Sequence, residues 1–212
     1  MYKHVKRFID IILSIIFLIL FLVPMLLVAL AIKLDSKGPI LFKQKRTGYK
    51  GKEFYLYKFR SMTQDNNVLD FKQENKITKV GNFIRKTSLD ELPQFINILK
   101  GDMSFIGPRP WIVEYAKAYT SNQKRRLDVT PGITGLAQAS GRNDLTVIEK
   151  INYDLEYVDN FSLKMDVKII FKTIKTIFSK KGADLAKSGI ETELRELKGN
   201  YLKNNNIKEE II

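Results

Sequence analysis

The chain has 212 residues, enough for one sizeable core and short for two independent ones. It holds no cysteine and a single histidine, His4, which excludes thiol nucleophiles, disulfides and Cys/His zinc sites and leaves carboxylates, Lys and Arg, hydroxyls or a hard metal ion to do any chemistry. Of the formal charge of +13, +9 falls within residues 1–60, beside the most apolar stretch, a placement that favours an anionic membrane surface over nucleic acid.

Ile11 to Ile32 is a run of 22 uncharged residues interrupted only by Ser14 and Pro24. As one straight helix it measures about 33 Å, enough to cross a hydrocarbon core. A secretory signal is disfavoured because the run exceeds the usual apolar region of such signals. A single crossing conflicts with charge: Lys3, Lys6 and Arg7 precede the run and Lys33, Lys37, Lys43, Lys45 and Arg46 follow it, so both ends belong on the same, cytoplasmic side. Pro24 lacks an amide proton and clashes with the carbonyl of Leu20, so the helix can bend there and return as a re-entrant hairpin. On the residues alone, crossing and re-entrant readings stand level.

Ile40–Arg46 and Glu53–Met62 are predicted as two strands joined by a turn around Gly48 and Gly51. Lys58 and Arg60 on the second strand are either a solvated face or cations aimed at an anionic substrate. Residues 63–76 are polar and read as a loop. In 87–101 the spacing of Leu92, Phe95, Ile96 and Leu99 predicts one buried helical face, starting near Asp90 and stopped by Gly101. Ser88 and Glu91 have capping-box spacing, and Pro93 fits a first turn. Asp90 and Glu91 taken alone are two acids stabilising a helix start.

Pro108 and Pro110 bracket Arg109 and fix its backbone in an extended form, which suits presentation of a guanidinium to phosphate. Further on, Arg125, Arg126, the 130–138 segment and Gly141-Arg142-Asn143 supply cations and glycines, with no P-loop, dinucleotide-binding fingerprint or DxD motif. Val167, Ile170, Phe171, Ile174, Ile177 and Phe178 form a helical apolar stripe opposite Lys164, Lys168, Lys172 and Lys175, read equally as core packing or as an interfacial helix on lipid.

Four segments, in order, carry a specific resemblance: Tyr57-Lys58-Phe59-Arg60-Ser61-Met62, Ser88-Leu89-Asp90-Glu91-Leu92-Pro93-Gln94, Lys100 through Pro110, and Pro131-Gly132-Ile133-Thr134-Gly135-Leu136-Ala137-Gln138. Together they closely resemble the bacterial sugar transferase family, the monotopic phosphoglycosyl transferases. The resemblance implies transfer of a phospho-sugar from a UDP-sugar to polyprenol (undecaprenyl) phosphate, with release of UMP, as the first membrane step of glycoconjugate synthesis. It also implies an Asp-Glu dyad with Mg²⁺, a re-entrant rather than crossing helix, and a place on the cytoplasmic face of the bacterial inner membrane. Asp90 is then the expected nucleophile, forming a covalent phospho-sugar intermediate, and Glu91 assists as metal ligand or proton acceptor. Lys58, Arg60, Arg85, Arg109 and Arg142 are the candidate phosphate-binding cations. Asp154 matches a family acid expected to hold a cation, with Pro108 and Pro110 in support. One departure is Val23, where relatives often place a serine ahead of the bend proline, Pro24.

The fold class expected is α+β and mainly helical, with a re-entrant membrane helix over 1–36, a catalytic domain over 37–188 containing a small β-hairpin and interfacial amphipathic helices, and a charged, partly disordered tail over 189–212. The chain looks like the small form of the family, without further membrane helices. Partners expected are a UDP-sugar, polyprenol phosphate and anionic lipid, with homodimer pairing left open and no nucleic acid. The rival reading is a non-catalytic, membrane-anchored scaffold or lipid-binding protein whose acids only cap a helix.

Overall fold

A computed structural model of the chain describes residues 1–63, 77–141, 144–179 and 190–205. The chain divides into two compact units. One comprises Arg7–Gln44 and Tyr55–Gly101 and is called here the acid-pair unit; the other comprises Met1–Lys6, Lys45–Phe54 and Asp102–Ile212 and is called the C-terminal unit. Among the described residues, helices dominate, and the strands form two two-stranded sheets.

The N-terminal apolar run is two helices, α1 (Tyr2–Leu20) and α2 (Leu22–Asp35), whose axes differ by 60°. Neither alone is long and apolar enough to cross a membrane. The break lies at Phe21, three residues ahead of Pro24, and not at the proline itself as the sequence suggests. The reason is that Pro24 becomes the third residue of α2, where its missing amide proton is one that a helix start leaves unpaired in any case. Phe17, Phe21 and Phe95 stack on the inner side of the break, with Phe17 and Phe95 centroids 5.4 Å apart. Val28 and Ile32 of α2 are buried, while Leu22, Val23, Leu26, Leu27, Leu30 and Leu34 are more than half exposed.

Strands β1 (Leu41–Thr47) and β2 (Glu53–Phe59) form the predicted hairpin. After it come α3 (Lys79–Lys86), a single turn at Leu89–Glu91, and α4 (Gln94–Lys100). α3 is capped by Thr78, whose Oγ1 accepts from the Gly81 amide at 2.9 Å. The core of the acid-pair unit joins Val28, Ile32, Phe59, Ile84 and Leu92.

α4 departs from the sequence expectation in two ways. It starts at Gln94 and not at Asp90, because Ser88 adopts a left-handed conformation (φ 57°, ψ 18°) and makes no side-chain cap, so the capping-box spacing goes unused. Its buried face also runs through Gln94, Asn97 and Ile98, leaving Leu99 exposed. Asn97 is fully buried because its amide completes β2: Nδ2 donates to the Tyr55 carbonyl at 2.7 Å and Oδ1 accepts from the Tyr57 amide at 3.0 Å. Gly101 does stop the helix, at φ 92°, and Arg7 donates from its guanidinium to the carbonyls of Ile98 and Leu99.

In the C-terminal unit, β3 (Ser104–Ile106) pairs in parallel with β4 (Gly132–Thr134), in the register Ser104 to Gly132 and Ile106 to Thr134. Around it stand α5 (Val113–Lys117), α6 (Leu136–Ser140), α7 (Val147–Asp159), α8 (Leu163–Ser179) and α9 (Ile190–Asn205). α7 starts with a full capping box between Thr146 and Glu149. α9 corrects the expectation of a tail from 189: it is a helix whose Leu197 is fully buried in a core with Trp111, Tyr115, Tyr119 and Ile151. α8 buries Met165, Asp166 and Ile169, and leaves Leu163, Val167, Ile170, Phe171 and Ile174 exposed. The apolar stripe at 167–174 is therefore not core packing; the side chains of Ile177 and Phe178 lie outside the described residues.

Candidate active site

Asp90 and Glu91 sit in the short turn between α3 and α4, immediately after the left-handed Ser88. A non-glycine residue in that conformation costs on the order of 1–2 kcal/mol, and such strain collects where a side chain must be aimed. Here it folds the chain back so that both acids face Lys58 of β2. Lys58 Nζ lies 2.6 Å from Glu91 Oε1 and 3.6 Å from Asp90 Oδ2, with side chains 19%, 23% and 13% exposed respectively. Asn97 ties α4 to β2 at Tyr55 and Tyr57, just ahead of Lys58, so the strand that carries the lysine and the helix that follows the acids are held in one register.

Burial pushes the Asp90 carboxyl above the ordinary carboxylate range; Lys58 and Arg85 pull it back, and the neighbouring Glu91 adds to the rise. Arg85, exposed in the last turn of α3, thus acts on Asp90 through its charge. The acid pair, Lys58 and Arg85 are the members of the predicted set that this unit brings together.

Arg60 does not join them. It is 6% exposed, and its guanidinium donates to the carbonyls of Ser36 at 2.7 Å and Lys37, and to Ser36 Oγ at 2.9 Å. It closes the C-terminal end of α2, where a cation meets the negative end of the helix dipole. The expectation that Arg60 accompanies Lys58 fails because the strand's alternation ends at Phe59, and Arg60 turns inward with it.

Arg109 lies in the C-terminal unit, with an exposed side chain between buried Pro108 and Pro110. Its backbone is held from behind: Arg126 Nη2 donates to the Arg109 carbonyl at 2.8 Å. Arg126 is itself enclosed. It pairs with Asp154 Oδ2 at 2.6 Å and 3.0 Å, donates to the Tyr119 hydroxyl at 2.8 Å and lies 4.3 Å from the Trp111 ring centroid. Asp154 is thus a buried acid holding a cation, as the resemblance implies, and not a solvated helix residue. Burial pushes Asp154 up, while the charge and hydrogen bonds of Arg126 pull it down. The sequence reading missed Arg126 as the partner; its neighbour Arg125 looks the same in sequence, yet pairs on the surface with Asp159. Arg142 lies outside the described residues.

The donor set can be tested for the implied Mg²⁺. Among the described residues no group of three or more acidic or histidine side chains converges. Two adjacent carboxylates are a poor cage for a cation that needs a full protein shell, and a suitable one for Mg²⁺, which keeps waters and takes the rest of its oxygens from substrate phosphates. Asp90 and Glu91 therefore fit that ion.

Residues 1–180 match the bacterial sugar transferase family. The chain is 43% identical over 182 residues to an uncharacterized sugar transferase, EpsL, of Bacillus subtilis (strain 168), covering 84% of this chain and 89% of that protein. It is 46% identical over 190 residues to a UDP-glucose:undecaprenyl-phosphate glucose-1-phosphate transferase of Klebsiella pneumoniae, covering 84% of this chain and 41% of that one. It is 43% identical over 196 residues to a UDP-N-acetylgalactosamine-undecaprenyl-phosphate N-acetylgalactosaminephosphotransferase of Aeromonas hydrophila, covering 86% and 46%. The chain thus spans nearly all of the Bacillus relative and less than half the length of the other two. With all four motif segments inside the matched region, the chain belongs to the bacterial sugar transferase family.

Proposed function

We propose that this chain transfers a sugar phosphate from a UDP-sugar to a polyprenyl phosphate, with Asp90 as nucleophile. The observation that carries this is the acid pair itself: a partly buried carboxylate with a raised pKa, aimed by a strained turn at a lysine that it shares with a second acid. The names of the Klebsiella and Aeromonas relatives agree on an undecaprenyl-phosphate acceptor and a UDP-sugar donor, and differ in the sugar. The acceptor class is therefore assigned here, and the sugar is left to experiment.

In the first step an Asp90 carboxylate oxygen attacks the β-phosphorus of the UDP-sugar. The bond from that phosphorus to the bridging oxygen breaks, and UMP leaves with the electron pair. In the second, a phosphate oxygen of the polyprenyl phosphate attacks the same phosphorus and displaces the Asp90 carboxylate, regenerating it. Lys58 and Arg85 favour the ionised form of Asp90 and offset the repulsion between acids and phosphates. Glu91 shares Lys58 and is available as metal ligand or proton acceptor. Asp90 and Glu91 would hold Mg²⁺, which would supply neutralisation of the phosphate charge.

The apolar faces left open on α2 and α8, together with the clustering of positive charge in residues 1–60, support a membrane-bound enzyme whose bent α1–α2 pair is re-entrant from the cytoplasmic face. The test is UMP release by the purified protein from a panel of UDP-sugars with polyprenyl phosphate. In the absence of acceptor, a UMP burst stoichiometric with enzyme and a sugar-phosphate mass adduct on Asp90 are expected. UMP release that occurs only with acceptor present, with no burst and no adduct in its absence, would show direct transfer and exclude the covalent step.

A further inference from the structure

α2 and α3 border an open groove of about 440 Å³, lined by Leu27, Val28, Ala31, Val80, Phe83 and Ile84 with Lys79 at its rim. Val28 and Ile84 form its floor, 8% and 0% exposed, while Leu27 and Phe83 stand up from it at 62% and 61%. The walls are fixed in place. Asp35 Oδ2, at the end of α2, accepts from the Val80 amide at 3.0 Å. Gly81 packs α3 so closely on Ser61 that a Cβ there would lie 2.0 Å from the Ser61 carbonyl oxygen. The groove is therefore a fixed feature of the backbone.

A small polar ligand is oriented by a few well-placed hydrogen-bonding groups, and this groove has none beyond the rim lysine. Its occupant is a hydrocarbon whose polar end lies elsewhere. α3 shows where. It is about 12 Å long, its residues 79, 80, 83 and 84 line the groove, and the next residue is Arg85, whose charge acts on Asp90. One short helix thus carries an apolar trough and, in its last turn, Arg85, and the turn that bears the acid pair follows directly after it.

We propose that the α2–α3 groove holds the isoprenoid chain of the acceptor and delivers its phosphate to Arg85 and the acid pair. The proposal rests on the functional reading above. A diacyl phospholipid fits less well, because its phosphate is an internal diester, whereas a polyprenyl phosphate ends in a monoester of higher charge that suits Arg85.

The test uses the whole chain in phosphatidylcholine nanodiscs. Ala31→Phe, which fills the groove, is expected to raise the KM for undecaprenyl phosphate at least tenfold and that for a two-isoprene phosphate less than threefold. Phe83→Ser, which lowers a wall at an exposed position, is expected to weaken the same chain-length preference. Equal changes for both acceptors, or none, would overturn the proposal. Independently of turnover, a long-chain isoprenyl phosphate bearing a photoactivatable group is expected to label peptides containing Leu27–Ala31 and Lys79–Ile84. Undecaprenyl phosphate should compete with that labelling. Equal competition by added phosphatidylglycerol would mark an ordinary lipid contact and reject the assignment. A wild-type protein that releases no UMP from any UDP-sugar would defeat the functional reading instead, and the photolabel would still decide the groove.

Discussion

Asp90 and Asp154 each face a cation, in opposite settings. Asp90 is 3.6 Å from a lysine that also serves Glu91, and the side chains of all three remain partly open to solvent. Asp154 is closed around Arg126, with side chains 2% and 1% exposed, and the guanidinium is further held by Tyr119, Trp111 and the Arg109 carbonyl. Lysine is a point charge on a flexible stem and can move between two acids; arginine is a rigid fork whose donors here are committed. The first arrangement leaves carboxylate oxygens available to an incoming phosphorus or metal. The second fixes a backbone, that of the Pro108–Pro110 segment, and is closed to solvent, so that even the unpartnered Asp154 Oδ1 is out of reach.

The contrast is most sharply tested by Asp90→Asn. Turnover is expected to fall about 10³-fold or more, the scale of losing a nucleophile, as read by UMP release. Stability should move the other way. Because burial raises the Asp90 carboxyl, the folded state binds its proton more tightly than the unfolded one, so stability falls as pH rises from the ordinary carboxylate value through the raised one. Asparagine removes that penalty, and the Tm at neutral pH should rise. A fall in Tm together with retained turnover would make Asp90 a structural cap.

Asp154→Ala should instead cost about 3–5 kcal/mol in urea unfolding, since it strands a buried guanidinium. Lys58→Met is expected to lower kcat/KM about tenfold, on the scale of one lost charge contact. It should also shift the acid limb of the pH profile upward, because Asp90 loses a cation that pulls its carboxyl down; activity near about pH 6 should suffer more than near about pH 8. An unmoved limb would separate Lys58 from Asp90 ionisation. Ser88→Gly should be the mildest, stabilising by up to about 1 kcal/mol by relieving the left-handed serine.

Much of this was legible in the chain. The Asp90-Glu91 pair next to Pro93, the Gly101 stop, the β1–β2 hairpin and a break near Pro24 follow from local chemistry that acts within a few residues. What escaped depends on distant partners. Ser88 has the pattern of a cap, yet its backbone angle is decided by how the following turn packs. Asn97 reads as a polar interruption in an apolar helix and is in fact the residue that binds α4 to β2. Arg125 and Arg126 are indistinguishable until α7 selects one of them for Asp154. The three-residue strands β3 and β4 are too short to show a period, and α9 is too polar on most faces to reveal that Leu197 is buried.

The ends of α2 and α4 are both closed by guanidinium groups, from Arg60 and Arg7. A guanidinium is a group that keeps its charge in proteins. The frame around the acid pair is therefore indifferent to protons, while Asp90 inside it is not. A pH titration of this enzyme should report the ionisation of the site with little contribution from fraying of those two helix ends. That separation lets the acid limb of its rate profile be read for the Asp90 carboxyl itself.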